Sequence, residues 1–143
     1  MKKALALDVG DNTIGVAVSD DLNMFANGVT TINRVGIKKD TQQVLNYIVE
    51  YGCDVVVMGL PLNLDGTDSI QTEKVRDFRV KLENKLRSNG LQDVQCLFQD
   101  ERFTTKMAEA VLIQGGVRRE NRKEVIDKQA AMIILQSYLD GQH

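Results

Sequence analysis

One histidine, His143, and two cysteines, Cys53 and Cys96, are all that 143 residues offer of these types, and each scarcity removes a class of chemistry. The histidine is the last residue, where a chain is least tied down, so serine hydrolase and cysteine protease mechanisms lose their usual base. Two cysteines build neither a disulfide framework nor a paired metal motif, and both sit in or at the start of apolar runs, which reads as small buried hydrophobes. No stretch approaches the ~20 consecutive apolar residues of a membrane span. Lys2 and Lys3 open the chain, but the apolar run behind them meets Asp8 too soon for a secretory signal, so a cytoplasmic location is expected. Internal repeats, low-complexity tracts and dividing linkers are also missing. With this length, the expectation is one domain over residues 1–143, able to bury roughly two-thirds of its unfolded surface.

Charge of one sign is lacking as well. Eighteen basic against twenty acidic residues leave a net charge of -2, which argues against indiscriminate polyanion binding. The balance is uneven along the chain: up to Glu101 there are 11 basic and 15 acidic residues, and from Arg102 onward 7 and 5. A polyanion site belongs in the C-terminal third.

What is present reads as strands followed by alternating strands and helices. Residues 3–9 form a nearly continuous apolar run closed by Gly10, as expected for a strand buried on both faces. Gly10-Asp11-Asn12 is a turn signal before the β-branched, alternating residues 13–19, so the two runs read as a hairpin. A third strand is expected from about residue 24 to 32, interrupted at Asn27-Gly28. From Ile37 the period becomes helical, with Val44, Leu45, Ile48 and Tyr51 on one face and Gly52 as a stop. Residues 54–59 are a second buried strand. A long amphipathic helix follows with Val75, Phe78, Leu82 and Leu86 on its apolar face and Gly90 at its end. Residues 94–99 are the last strand, Thr104 or Thr105 can cap a helix through Ile113, Gly115-Gly116 breaks it, and a final helix starts near Glu120 or Lys123 and reaches Leu139. The expected fold class is α/β: a mixed five-stranded sheet, an antiparallel meander extended by two parallel strands, with helices on both faces.

In such sheets ligands gather beyond the carboxyl ends of the parallel strands. Asp8 ends the first strand and Asp100-Glu101 the last, so their carboxylates converge if those strands are parallel neighbours in the middle of the sheet. A third acid, Asp127, stands four positions before Ala131 and seven before Ile134, on the apolar stripe of the final helix. A carboxylate aimed at a sheet is costly unless it is paired or binds a metal. Each acid also has a local reading: Asp8 as a turn residue, Glu101 paired with Arg102 or Lys106, Asp127 as an early-turn acid favoured by the helix dipole. Together they favour a site of hard oxygen ligands, suited to Mg²⁺ or Mn²⁺ rather than zinc. Strand alternation leaves the choice between Asp100 and Glu101 open, since the two face opposite ways.

Four segments carry a resemblance. Residues 8–20, Asp8-Val9-Gly10-Asp11-Asn12-Thr13-Ile14-Gly15-Val16-Ala17-Val18-Ser19-Asp20, resemble the N-terminal signature of the YqgF family of RNase H-like proteins. Residues 59–67, Gly-Leu-Pro-Leu-Asn-Leu-Asp-Gly-Thr, resemble its central loop, and Asp100-Glu101-Arg102-Phe103-Thr104-Thr105 its third motif. Asp127-Lys128-Gln129-Ala130-Ala131, with residues 134–139, resembles the fourth. The departures are Asp11-Asn12, where a basic residue is common, and Phe103, where leucine is common. The family is described as nucleases of precursor 16S ribosomal RNA and as Holliday-junction-resolvase-like. The resemblance implies an RNase H-like fold, and it places the catalytic and metal-binding acids at Asp8, Glu101 and Asp127. It also implies a metal-dependent endonuclease acting on structured RNA, most directly at the 5′ end of precursor 16S ribosomal RNA.

Three clustered carboxylates repel one another and a phosphodiester, and one or two bound Mg²⁺ or Mn²⁺ ions relieve both problems. Two ions ~4 Å apart would activate a water on one side of the phosphorus and stabilise the departing oxygen on the other. Positive charge for the substrate is expected in the loop 115–123, from Arg118, Arg119, Arg122 and Lys123, with a solvated helix entrance as the local alternative. No aromatic residue is interleaved there, so recognition of backbone or shape is expected rather than base stacking. Rival readings are a four-way DNA junction as substrate, which calls for a two-fold dimer, and a noncatalytic RNA-binding role in ribosome assembly. A third is an actin-like ATPase, which needs two such domains. Monomer and homodimer both stay open.

Overall fold

A computed structural model describes residues 3–100 and 122–142, with residues 122–127 as helical backbone only. The elements are β1 (Ala4–Val9), β2 (Thr13–Ser19), β3 (Ala26–Asn33), α1 (Ile37–Tyr51), β4 (Val55–Leu60), α2 (Ile70–Ser88), β5 (Gln95–Asp100) and α3 (Arg122–Gln142). The helix expected from Thr104 or Thr105 to Ile113 lies outside the described residues.

The sheet has the order β3-β2-β1-β4-β5, antiparallel from β3 to β1 and parallel from β1 to β5. This is the expected mixed sheet, with one correction. β1 and β5 are not neighbours, because β4 lies between them and β5 forms the edge. Two strand spacings of about 4.8 Å put the ends of β1 and β5 roughly 10 Å apart. Asn27-Gly28 does not interrupt β3; instead the register slips opposite Val16 and Ala17, so that Val16 pairs with Thr30 and Ala17 with Gly28. One extra residue, Val29, is accommodated as a bulge.

Alternation along β1 decides the two faces. Leu5, Leu7 and Val9 join Ile14, Val16, Val56 and Met58 in a core of large side chains beneath α1 and α2, where Phe78, Leu82 and Leu86 are fully buried. Ala4 and Ala6 point the other way, with Ala17, Val55 and Val57, and are covered by Ala131, Ile134, Leu135 and Leu139 of α3. Small residues on that face let α3 settle close. At Gly28 the approach is so tight that an added Cβ would stand 2.9 Å from Cγ of Lys128 and 3.0 Å from Sδ of Met132.

The ends of the helices follow from local chemistry. Ser69 caps α2: its Oγ accepts from the Thr72 amide at 3.1 Å, while Thr72 Oγ1 accepts from the Ser69 amide at 2.9 Å. Both hydroxyls also donate to the Pro61 carbonyl, tying α2 to the loop after β4. α1 stops at Gly52, whose φ of 64° is left-handed and whose amide returns to the Ile48 and Val49 carbonyls. No helix among the described residues is long and apolar enough to cross a membrane.

Both cysteines are buried free thiols, as their apolar surroundings suggest. Burial is the main cause that pushes each thiol up to about 11, assisted by Asp54 at Cys53 and by Glu83 at Cys96. The raised folded value means that this contribution to stability is complete below the ordinary thiol range and is lost as pH climbs from about 9 toward 11. Iodoacetamide at pH 8 is therefore expected to label both thiols in urea and neither in the folded chain. Ile134→Ala, at a position with no exposure against Ala4, Ala6 and Val57, should cost about 2–5 kcal/mol in urea unfolding. Ile70→Ala, 78% exposed, should cost less than about 0.5 kcal/mol.

Candidate active site at the carboxyl edge of the sheet

Asp8 is the fifth residue of β1 and is half-buried. Its alternation is that of Ala4 and Ala6, so it belongs to the face covered by α3. Both strands beside it carry glycine at its level. Gly15 pairs with Asp8 on β2, and on β4 Gly59 follows Met58, the partner of Leu7. Gly59 in turn pairs with Gln99 of β5. No Cβ rises from either neighbouring strand beside the Asp8 carboxylate, and both glycines are themselves buried. A glycine inside a strand is the available sequence signal for such close approach.

α3 reaches the same edge. Gln136 accepts from the Ala26 amide at 3.0 Å and donates to the Met24 carbonyl at 2.9 Å, which fixes the later turns of the helix beside the start of β3. Lys128 and Met132 lie over Gly28, further along β3. The helix thus runs antiparallel to β1, with its first turns toward the carboxyl edge. Asp127 is a backbone position of α3, one turn before the buried Ala131, on the side of Asp8's end of the sheet.

The β5 register places Asp100, one of the two acids that alternation alone leaves undecided. Cys96 and Phe98 pack into the core beneath α1 and α2, so Asp100, of the same alternation and paired with Leu60, is on the face opposite Asp8. Leu97 and Gln99 are on the Asp8 face. Glu101 lies outside the described residues, as do Arg118 and Arg119. Arg122 and Lys123 are the first two residues of α3, which starts where the final helix is expected, between Glu120 and Lys123. Among the described residues no three His, Cys, Asp or Glu side chains are close enough together to hold an ion. Of the expected ligands, the side chain described is that of Asp8, whose oxygens suit a hard divalent cation.

The backbone just beyond Asp8 is clamped from the other side of the sheet. Gln71 Nε2 of α2 donates to the Val9 carbonyl at 3.1 Å, and Arg34 Nη1 donates to the Gly10 carbonyl at 2.8 Å. Arg34 is itself fixed by Nε donating to Asp40 Oδ2 at 2.9 Å and by lying over the Phe78 ring. Asp40 is 1% exposed and also accepts from the Val35 amide at 3.0 Å. Lys74 of α2 reaches Asp11 at 3.0 Å, which supplies positive charge at the turn where the sequence has an acid in place of a common base. Neither Arg34 nor Gln71 has a local motif, so both escape a reading of the sequence.

The match to known proteins covers this whole arrangement. The family model RuvX, described as Holliday junction resolvase, matches residues 2–141. The chain belongs to the RuvX (YqgF) family. A relative from Caldanaerobacter subterraneus subsp. tengcongensis is 47% identical over 141 residues, covering 98% of this chain and 97% of its own. Another, from Lactococcus lactis subsp. cremoris MG1363, is 48% identical over 143 residues, covering 97% and 94%. Both carry the name "Putative pre-16S rRNA nuclease". Among solved structures, the yeast mitochondrial Holliday junction resolvase Ydc2 aligns with a TM-score of 0.62 at 14% identity over 97% of this chain and 78% of its own. Thermus thermophilus RuvC in complex with a Holliday junction substrate aligns at 0.59 and 12% identity over 99% and 96%. At these identities the likeness shows the fold, and it is the RNase H-like fold of the resolvases that the RuvX chain adopts.

Removing Arg34 leaves the buried Asp40 carboxylate without its cation, so Arg34→Met is expected to lower unfolding stability by about 3–5 kcal/mol in urea titration. Arg34→Lys should recover only part of that loss, because one ammonium is a poor substitute for a fork bonded to both Asp40 and Gly10.

Proposed function

We propose that this chain is a divalent-metal-dependent endonuclease that hydrolyses phosphodiesters in structured nucleic acid, with the 5′ end of precursor 16S ribosomal RNA as its substrate. Asp8, Glu101 and Asp127 are the proposed catalytic acids and metal ligands. The observation that carries the reading is Asp8 itself: a carboxylate between Gly15 and Gly59 at the carboxyl edge, on the face that α3 covers. Asp100 is on the face opposite Asp8, which supports Glu101 over Asp100 as the acid of this set.

Three acids, one on β1, one following β5 and one on α3, would together supply hard oxygen ligands. Mg²⁺ or Mn²⁺, one ion or two, would supply charge neutralisation and an activated water when bound there. The protein's own share is to keep the carboxylates ionised and oriented. Gln71 and Arg34 serve that share by holding the two carbonyls after Asp8, so the carboxylate presents from a fixed backbone. Arg118, Arg119, Arg122 and Lys123 are the proposed contacts to the substrate backbone near the start of α3. The reading makes the protein cytoplasmic, where ribosomal RNA is processed.

A second reading, resolution of four-way DNA junctions, is favoured by the description of the family and by the junction-bound RuvC neighbour. It requires two sites related by a two-fold axis. One assay separates the two: cleavage of precursor 16S ribosomal RNA and of a four-way DNA junction, side by side in Mg²⁺ or Mn²⁺. The expected result is cleavage of the RNA, lost by at least about a hundredfold in Asp8→Asn and in Asp127→Asn, the scale on which one charge-stabilising group contributes. Wild-type rates in both variants would remove the assigned acids, and cleavage of the junction alone would select the resolvase.

A further inference from the structure

On the opposite face of the sheet, α1 and α2 enclose a groove of about 230 Å³ lined by Lys38, Lys81, Lys85, Asn84 and Ser88, with Ile37 and Thr41 at its α1 side and no acidic side chain in its walls. None of the three lysines has an ion-pair partner among the described residues. The groove continues past Ile37 into a cleft of about 430 Å³ bounded by Arg34, Lys74, Glu73 and Asp77, where charge is mixed and both cations are already paired. Arg34 bonds the Gly10 carbonyl, so this path ends at the turn just beyond Asp8.

Folding gains little from this arrangement. Lys81 and Lys85 are like charges one turn apart on the same helix, a repulsive spacing that Asp77, one turn before Lys81, offsets only in part. Lys38 is in the first turn of α1, where the helix dipole disfavours a cation. The dipole at the end of α2 favours Lys85 alone. Three cations without an ion-pair partner among the described residues therefore line one groove of a chain whose net charge is -2. An anionic partner offsets that repulsion, and a narrow cationic strip in an acidic surface aligns a linear polyanion better than it holds a diffuse one.

We propose that the α1–α2 groove binds the phosphate backbone of a nucleic acid, as a second contact for one arm of a structured substrate whose cleaved strand lies at the carboxyl edge. The identity of the polyanion rests on the nuclease reading; the existence of a polyanion site does not. No aromatic side chain lines the lysine groove, so it grips backbone and reads no base.

The test uses the full chain carrying Asp8→Asn, so that binding is measured without cleavage. Affinity for a precursor 16S ribosomal RNA fragment is followed by fluorescence anisotropy across a salt series, with and without Lys38→Gln, Lys81→Gln and Lys85→Gln together. Loss of three phosphate contacts is expected to reduce the slope of log affinity against log salt by about 2–3. The three positions are at the surface of the helices, and unchanged helical circular dichroism confirms that the variant is folded. An unchanged slope overturns the groove and leaves the nuclease reading standing. A reduced slope in a protein whose Asp8 form cleaves neither RNA nor junction supports the groove and removes the nuclease reading.

Discussion

Close packing of α3 onto a sheet face made of small residues is the constraint on which the candidate site depends. Ala4, Ala6 and Ala17, all without exposure, and Gly28, which has no space for a Cβ, set the distance between helix and sheet. A face of leucines, such as the one β1 turns toward α1 and α2, would hold a helix further off. Because Asp8 continues the alternation of Ala4 and Ala6, the same packing that buries the alanines brings the start of α3 over the carboxylate's end of the strand. Interior packing at this density transmits such a spacing without slack. Core geometry and proposed chemistry are therefore one feature of β1, read at successive positions.

The opposite face stabilises that feature. Its large side chains supply most of the apolar burial, and its helices send Gln71 and, through the loop before α1, Arg34 to the carbonyls of Val9 and Gly10. The Arg34–Asp40 pair is buried and multiply hydrogen-bonded, the condition under which such a pair fixes geometry rather than merely offsetting its own desolvation. The turn after Asp8 is thus held from behind by Gln71 and Arg34.

Much of this was legible in the sequence where a signal was local. The apolar run of β1 and the helical stripe ending at Leu86 each announce themselves by period. Strand order did not, since nothing local says that β4 inserts between β1 and β5. Asn27-Gly28 looks like a breaker, yet both residues pair with β2 beside the bulge at Val29, and Gly28 makes room for Lys128 and Met132, about a hundred residues away in the chain. The face of Asp100 follows only from the register of β5 against β4. Ser69 and Thr72, which cap α2 and bind Pro61, form a capping box with threonine in the place of the more common acid or amide, and so lack the usual signature.

The central claim is that Asp8 at the glycine-flanked edge holds a divalent cation together with acids from β5's end and α3. Anomalous diffraction from crystals soaked in Mn²⁺ tests it most directly. The account predicts a peak about 2.0–2.2 Å from an Asp8 carboxylate oxygen, the distance at which a small hard cation binds oxygen, and its loss in Asp8→Asn. A crystal that takes up Mn²⁺ elsewhere, with none at Asp8, would contradict it.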